Sequence, residues 1–307
     1  MLTSFFSKSN PINFLLLSLV VLLLYIFGVW IPSETPISIV SVASNLFFMV
    51  LSVFGLFLLD FIVKKNDLTR QNTYAILCFV CFLAFFPNCF GNHSILIANT
   101  LLLFALRRIF SLYSEKNTEK KILDATIYIS IASFFYFFSL LIFIVLALAI
   151  IRKKYTTFKH LLIPIAGFFA IFSLATSYYF LTEGSFNWFF SWKPQIGFEF
   201  TAYNMLSVVI ALAIMATFMI WTVSHRFIKL GTISKKDRPN YLLMVILLGV
   251  TVLMALASPQ KTGAELLFIF APLAIMVANF VEQTKEFWFK ELLLWLLVLA
   301  PLFLFLL

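Results

Sequence analysis

Apolar runs of roughly 20 residues recur along this chain from one end to the other, separated by short polar breaks in which nearly all of the Lys and Arg residues lie. A run of that length is enough to cross a ~30 Å hydrocarbon core as a helix. The composition agrees: 63% of the 307 residues are hydrophobic and 11% are charged, where a soluble domain carries ~25% charge. The reading is an all-α polytopic integral membrane protein, with residues 1–307 forming a single membrane domain and no soluble domain. Leu15–Trp30 reads as a first span and not as a cleaved leader. The residues after it, Ile31-Pro32-Ser33-Glu34-Thr35-Pro36, hold no small-x-small cleavage pattern, and further spans follow.

Charge orients the spans. Cytoplasmic loops of membrane proteins are rich in Lys and Arg. Of the 22 such residues here, all but Lys193 and Lys261 fall in segments that one alternating topology places on the cytoplasmic side. That topology has about eleven transmembrane helices with the N-terminus cytoplasmic. The spans are about Asn13–Trp30, Ile39–Val63, Thr73–Phe86, Ser94–Leu106, a pair within 122–151, Leu161–Leu181, Ala202–Ser224, Tyr241–Ala257, Ala264–Val281 and Leu292–Leu307. Ile122–Ile151 is apolar with basic clusters at both ends, so both ends lie inside and a single straight crossing is excluded. The spacing predicts a short helical hairpin bending near Phe134–Ser139. Each 15-residue arm then reaches only ~22 Å at 1.5 Å per residue, so the arms either thin the bilayer or shelter inside the protein.

The same charge pattern excludes nucleic acid as a partner. The net charge of +9 is dispersed over short loops, where anionic headgroups neutralise it, and is not clustered on a soluble face. Cys78, Cys81 and Cys89 lie in apolar surroundings, and Cys78-x-x-Cys81 has no second pair and no nearby His, so neither a disulfide framework nor a metal site is expected. Nucleotide, zinc-protease, serine-hydrolase and dinucleotide motifs are all missing from the sequence, and no cofactor is implied.

Candidate chemistry is confined to polar groups at the outer face, because the inner loops already serve as orientation signals. Glu34 is the acid of the first outer loop, between Pro32 and Pro36, and is placed to act as a base or a ligand at a membrane surface. Lys261 and Glu265 stand four residues apart at the outer start of a span. A helix starting near Thr262 puts them on one face, Lys261 to bind an anionic headgroup or diphosphate and Glu265 to orient it. His93, with Asn88 and Asn92, forms a polar turn at the outer end of another span. Trp188, Phe189, Phe190 and Trp192, within Glu183–Glu199, suit an interfacial helix or a lid over a lipid tail. Asp60 and Lys64 have helical salt-bridge spacing and read as structural, as does Asp124 among its basic neighbours.

Two stretches carry a resemblance. Phe86-Pro87 through Lys154 runs from a Pro-containing outer turn through a span, a basic loop and a short hairpin to Arg152-Lys153-Lys154. Lys261-Thr262-Gly263-Ala264-Glu265-Leu266-Leu267-Phe268, followed by Ala271-Pro272-Leu273, is similar to a Lys/His–Glu–aromatic–Pro pattern. Both resemble multi-span polyprenyl-phosphate-sugar-dependent glycosyltransferases of the GT-C class, and together they cover about a third of the chain. The whole chain also resembles an uncharacterised family of bacterial polytopic membrane proteins. The first resemblance implies a bacterial cytoplasmic (inner) membrane location, membrane lipid as surroundings and a polyprenyl-phosphate sugar as ligand. It makes Glu34 the acid/base, Lys261 the phosphate contact, and Glu265 and His93 their support. The sequence departs from that class, which carries an Asp or Asp-Glu pair in a longer first outer loop. The alternatives are a non-catalytic subunit with a membrane-protein partner, as in secretion or translocation machinery, and a lipid or small-molecule transporter. Replacing Glu34 by Gln is expected to abolish glycosyl transfer while leaving folding intact, and full retained transfer would remove Glu34 from the chemistry.

Overall fold

A computed structural model describes residues 1–31, 38–114, 116–153, 156–194, 196–233 and 238–305. Among these the chain is helical with no strand. In chain order the first helices are α1 (Leu2–Phe6), α2 (Pro11–Tyr25), α3 (Ile39–Lys65), α4 (Tyr74–Phe85), α5 (His93–Ser111) and α6 (Thr118–Phe135). There follow α7 (Ile142–Ile151), α8 (Phe158–Glu183), α9 (Trp188–Trp192), α10 (Leu206–Lys229), α11 (Arg238–Ala257), α12 (Leu267–Gln283) and α13 (Phe287–Leu304).

Eight helical segments among the described residues are long and apolar enough to cross a membrane, and Tyr74–Phe85 and Phe137–Ile151 are shorter apolar helices. The protein is a multi-pass membrane protein. Each of the eleven spans read from the sequence coincides with a helix. Three of them, α4, α6 and the Phe137–Ile151 segment, are too short or too charged to be counted as crossing on length and composition alone.

The chain divides into two compact units. The first is Met1–Leu96 with Glu199–Ser234 and Lys261–Leu307, and the second is Ile97–Phe198 with Lys235–Gln260. The division falls within α5, between Leu96 and Ile97.

The centre of unit 1 is α4 packed along α12. Both are apolar on every side, which is the signature of a helix with no solvent face, and almost every residue of each is buried. Phe270 of α12 lies 6.1 Å from the Phe82 ring and 6.0 Å from the Phe86 ring. One end of this unit is tied by polar groups. Glu291 of α13 accepts from the free backbone N–H groups of Leu2 at 2.6 Å and Thr3 at 3.1 Å, which are orphan donors at the start of α1. Glu282 accepts from Asn72 Nδ2 at 2.6 Å and from the Arg70 backbone at 3.1 Å. Asn13, fully buried, donates to the carbonyls of Phe5 and Lys8 and to Thr73 Oγ1. Lys64 pairs with Asp60 at 2.8 Å and reaches Ser9 Oγ at 2.8 Å. Every segment in this polar end is one that the charge pattern places inside.

Unit 2 is built on α6 packed along α8, with α7 against α11. The helical hairpin is present. Tyr136, with extended backbone at φ −147°, separates α6 from a 3₁₀ turn, Phe137–Leu141, that runs into α7. The first arm starts earlier than Ile122. Asn117 takes a left-handed conformation and launches α6 at Thr118, with Glu119 in the first turn, where a carboxylate favours the helix dipole. The arm therefore has 18 residues and a length of ~27 Å.

A helix end leaves carbonyls without intrahelical partners. Two side chains cover them. Trp192 Nε1 of α9 donates to the Ser133 carbonyl at 2.8 Å, and the Tyr136 hydroxyl donates to the Met254 carbonyl near the end of α11 at 2.6 Å. Trp192 is held in place by rings, with Phe137 at 4.9 Å and Phe172 at 5.9 Å. The aromatic segment read as an interfacial anchor thus also closes the hairpin. Trp192→Phe keeps most of this packing but removes the N–H, leaving a carbonyl unpartnered. It is expected to lower stability by about 1–3 kcal/mol, measured by thermal or denaturant unfolding of the detergent-solubilised protein.

Candidate functional site

The second end of unit 1 collects three irregular segments. The first is the π turn Ile26–Trp30 that finishes α2, and the second is the 3₁₀ turn Pro87–Gly91 after α4. Gly28 lets them meet, since a Cβ there would lie 2.4 Å from the Pro87 carbonyl oxygen. The third is the turn into α12. Gly263 has φ 88°, a left-handed backbone that other residues adopt only at a cost, and the 3₁₀ turn Ala264–Leu266 leads on into α12 at Leu267.

This turn changes the relation between Lys261 and Glu265. A helix starting near Thr262 was expected to place them on one face. Instead Gly263, in a left-handed conformation, lies between them, and α12 begins only after Glu265. Glu265 is 0% exposed. Burying a carboxylate is costly without hydrogen bonds, and here it has them. Oε2 accepts from the Thr262 backbone N–H at 3.2 Å and faces Thr262 Oγ1 at 3.4 Å. Oε1 accepts a short hydrogen bond from the Tyr203 hydroxyl. Lys261 is 4% exposed, and its ammonium lies 5.4 Å from the centre of the Phe200 ring. Burial holds its pKa below the ordinary lysine range, and the charge of Glu265 opposes that shift.

Beside this turn is a cavity of about 440 Å³. Phe86, Pro87 and Asn88 form one wall, Tyr203 and Ser207 another, Thr262 and Gly263 a third, with Pro301 and Phe305 of the C-terminal segment completing it. Tyr203 therefore stands between the buried Glu265 and the cavity. The volume falls within the roughly 300–1,000 Å³ of small-molecule sites, and its lining mixes apolar surface with hydroxyl and amide groups.

Of the other sequence candidates, Asn88 lines this cavity. Glu34 lies outside the described residues. His93 is the first residue of α5. Its ring stacks on Phe48 at 3.8 Å and 6°, its buried Nε2 has no hydrogen-bond partner among the described residues, and it does not line the cavity. Asn92 caps the same helix start, its Oδ1 accepting from Ile95 N at 3.1 Å. Cys78, Cys81 and Cys89 are buried free thiols. No group of three His, Cys, Asp or Glu residues among those described is placed to hold a metal ion.

A family model described as a family of unknown function (DUF6427) matches residues 1–307, the whole chain. The chain belongs to that family. No curated protein and no solved structure matches it. DUF6427 membership brings no activity with it, so the function of this chain has to be argued from its own residues.

Two residues, Thr262 and Tyr203, hydrogen-bond Glu265. Thr262-x-x-Glu265 before an apolar run is a capping-box spacing, and that local signal was present in the sequence. Tyr203 has no such signal, being 62 positions from Glu265. If Tyr203 serves to hold the buried carboxylate, Tyr203→Phe and Glu265→Gln each lower stability. The double variant is then expected to lose less than the two losses combined, with a coupling of about 1–3 kcal/mol in a double-mutant cycle of unfolding measurements.

Proposed function

We propose that this DUF6427 protein handles a lipid-linked sugar at the outer face of a bacterial cytoplasmic membrane, through the Lys261–Glu265 end of unit 1. The observation that supports it is the combination in one turn of a nearly buried ammonium and a fully buried, hydrogen-bonded carboxylate, next to a cavity of about 440 Å³. Charged groups withdrawn at the end of a membrane span are costly and accordingly functional by default. In this reading Lys261 pairs with the phosphate of a polyprenyl-phosphate sugar. Glu265 and Tyr203 fix the geometry of the turn, and the cavity receives the polar headgroup.

The resemblance to GT-C-class enzymes adds the reaction. An acceptor hydroxyl oxygen bonds to the anomeric carbon as the bond from that carbon to the phosphate oxygen breaks. Polyprenyl phosphate leaves with the electron pair, and Glu34 takes the acceptor's proton. His93, stacked on Phe48, lies outside this scheme.

The test is purification from the native host in mild detergent, with mass spectrometry of co-purifying lipids and proteins together. The expected result is a bound polyprenyl-phosphate sugar that is depleted about tenfold or more, equivalent to ~1.4 kcal/mol, in Lys261→Met. A stoichiometric protein partner accompanied only by bulk phospholipid would overturn the proposal and make the chain a subunit of a complex.

A further inference from the structure

The basic end of unit 2 contains a second cavity, of about 420 Å³, lined by residues of that unit alone, whereas Lys261 and Glu265 belong to unit 1. Its floor is apolar, with Ile109, Leu112 and Leu243 buried. Its rim is cationic, formed by Arg152 and Lys153 where α7 ends, together with the hydroxyl of Ser114. No acidic residue is among the described residues lining it.

The cations of this end are not equivalent. Arg108 pairs with Asp124 at 2.8 Å and Lys159 with Glu119 at 3.0 Å. Lys153 Nζ donates to Thr118 Oγ1 at 2.5 Å. Lys121 Nζ donates to Ser114 Oγ at 2.6 Å, which brings a third cation against the cavity wall. Arg152 is exposed, and its guanidinium has neither an ion pair nor a hydrogen bond among the described residues. An orientation signal needs only a positive charge on the correct side. It does not need a cavity, nor a guanidinium on the rim of that cavity without an ion pair among the described residues.

We propose that this cavity seats the phosphate group of an anionic phospholipid, with Arg152 as its principal contact and Lys153 and Lys121 as supporting charge. A guanidinium presents paired N–H donors that match phosphate oxygens. The apolar floor suits the glycerol and ester region of the same molecule, which a free phosphate ion would leave unfilled. The charge pattern places this end at the cytoplasmic leaflet, where anionic lipids concentrate. The proposal is independent of the sugar-handling site and survives or fails without it.

The experiment is native mass spectrometry of the full-length protein in detergent, with phosphatidylglycerol and phosphatidylcholine of matched chains supplied at equal concentration. One phosphatidylglycerol is expected to be retained about tenfold more than phosphatidylcholine. Arg152→Gln removes most of that preference, and Arg152→Lys restores part of it. Asn240→Asp, which places a negative charge on the rim at constant size, also weakens retention. Lipid-free unfolding temperatures identical to the parent's show that these variants fold. Equal retention of the two lipids, or an unchanged preference in both Arg152→Gln and Asn240→Asp, would overturn the proposal. Displacement of the bound lipid by millimolar inorganic phosphate would overturn the assignment to a lipid.

Discussion

Everything in this structure follows from the requirement that a peptide group in hydrocarbon find its hydrogen bond within the protein. Regular helices meet that requirement by themselves, and most of the chain uses them. The informative places are the breaks. Near the end of α6 the Ser133 carbonyl is met by an indole 59 positions away. At Gly263 the turn into α12 is closed by a carboxylate that reaches back to a backbone N–H. At the start of α1 the free N–H groups meet Glu291. Each break has recruited a polar side chain, and the candidate site is one of these breaks with a cavity beside it.

Within each unit the polar chemistry is sorted by end. Unit 1 gathers Asn13, Thr73, Glu282 and Glu291 at one end and Tyr203, Thr262 and Glu265 at the other. Unit 2 gathers its ion pairs around Arg108, Glu119 and Lys159, while Trp192, Tyr136 and Met254 meet at its opposite end. This sorting is what one alternating topology produces, because each crossing returns the chain to the same pair of ends. Net positive charge then accumulates where the loops are basic, and hydroxyls and rings dominate where they are not.

The hairpin within 122–151 was legible because basic residues stand at both of its ends, and the bend expected near Phe134–Ser139 occurs at Tyr136. The Asp60–Lys64 pair was legible for the same reason, since four-residue spacing on an unbroken helix has a single meaning. Lys261–Glu265 has the same spacing and a different outcome, because Gly263 interrupts the helix that the spacing presupposes. The division into two units was not legible, nor was the pairing of Tyr203 with Glu265 or of Trp192 with Ser133. These are contacts between distant segments of a chain whose apolar runs resemble one another, and hydropathy carries no information about which run lies beside which. Glu34 was singled out from its loop alone and lies outside the described residues.

The pairing of α4 with α12 bears on how such a protein is made. α4 has 12 residues, ~18 Å of helix, too little to span the bilayer core unaided. The helix it packs along most extensively, α12, is synthesised nearly two hundred residues later. During biogenesis α4 must therefore wait, held by α2, α3 or the insertion machinery, while all of unit 2 is threaded into the membrane. A ribosome that stalls before α12 leaves a chain with most of its crossings in place and its central helix covered only in part, by α2 and α3. Such a product would be inserted yet incomplete, and open to membrane proteases that survey unpaired helices.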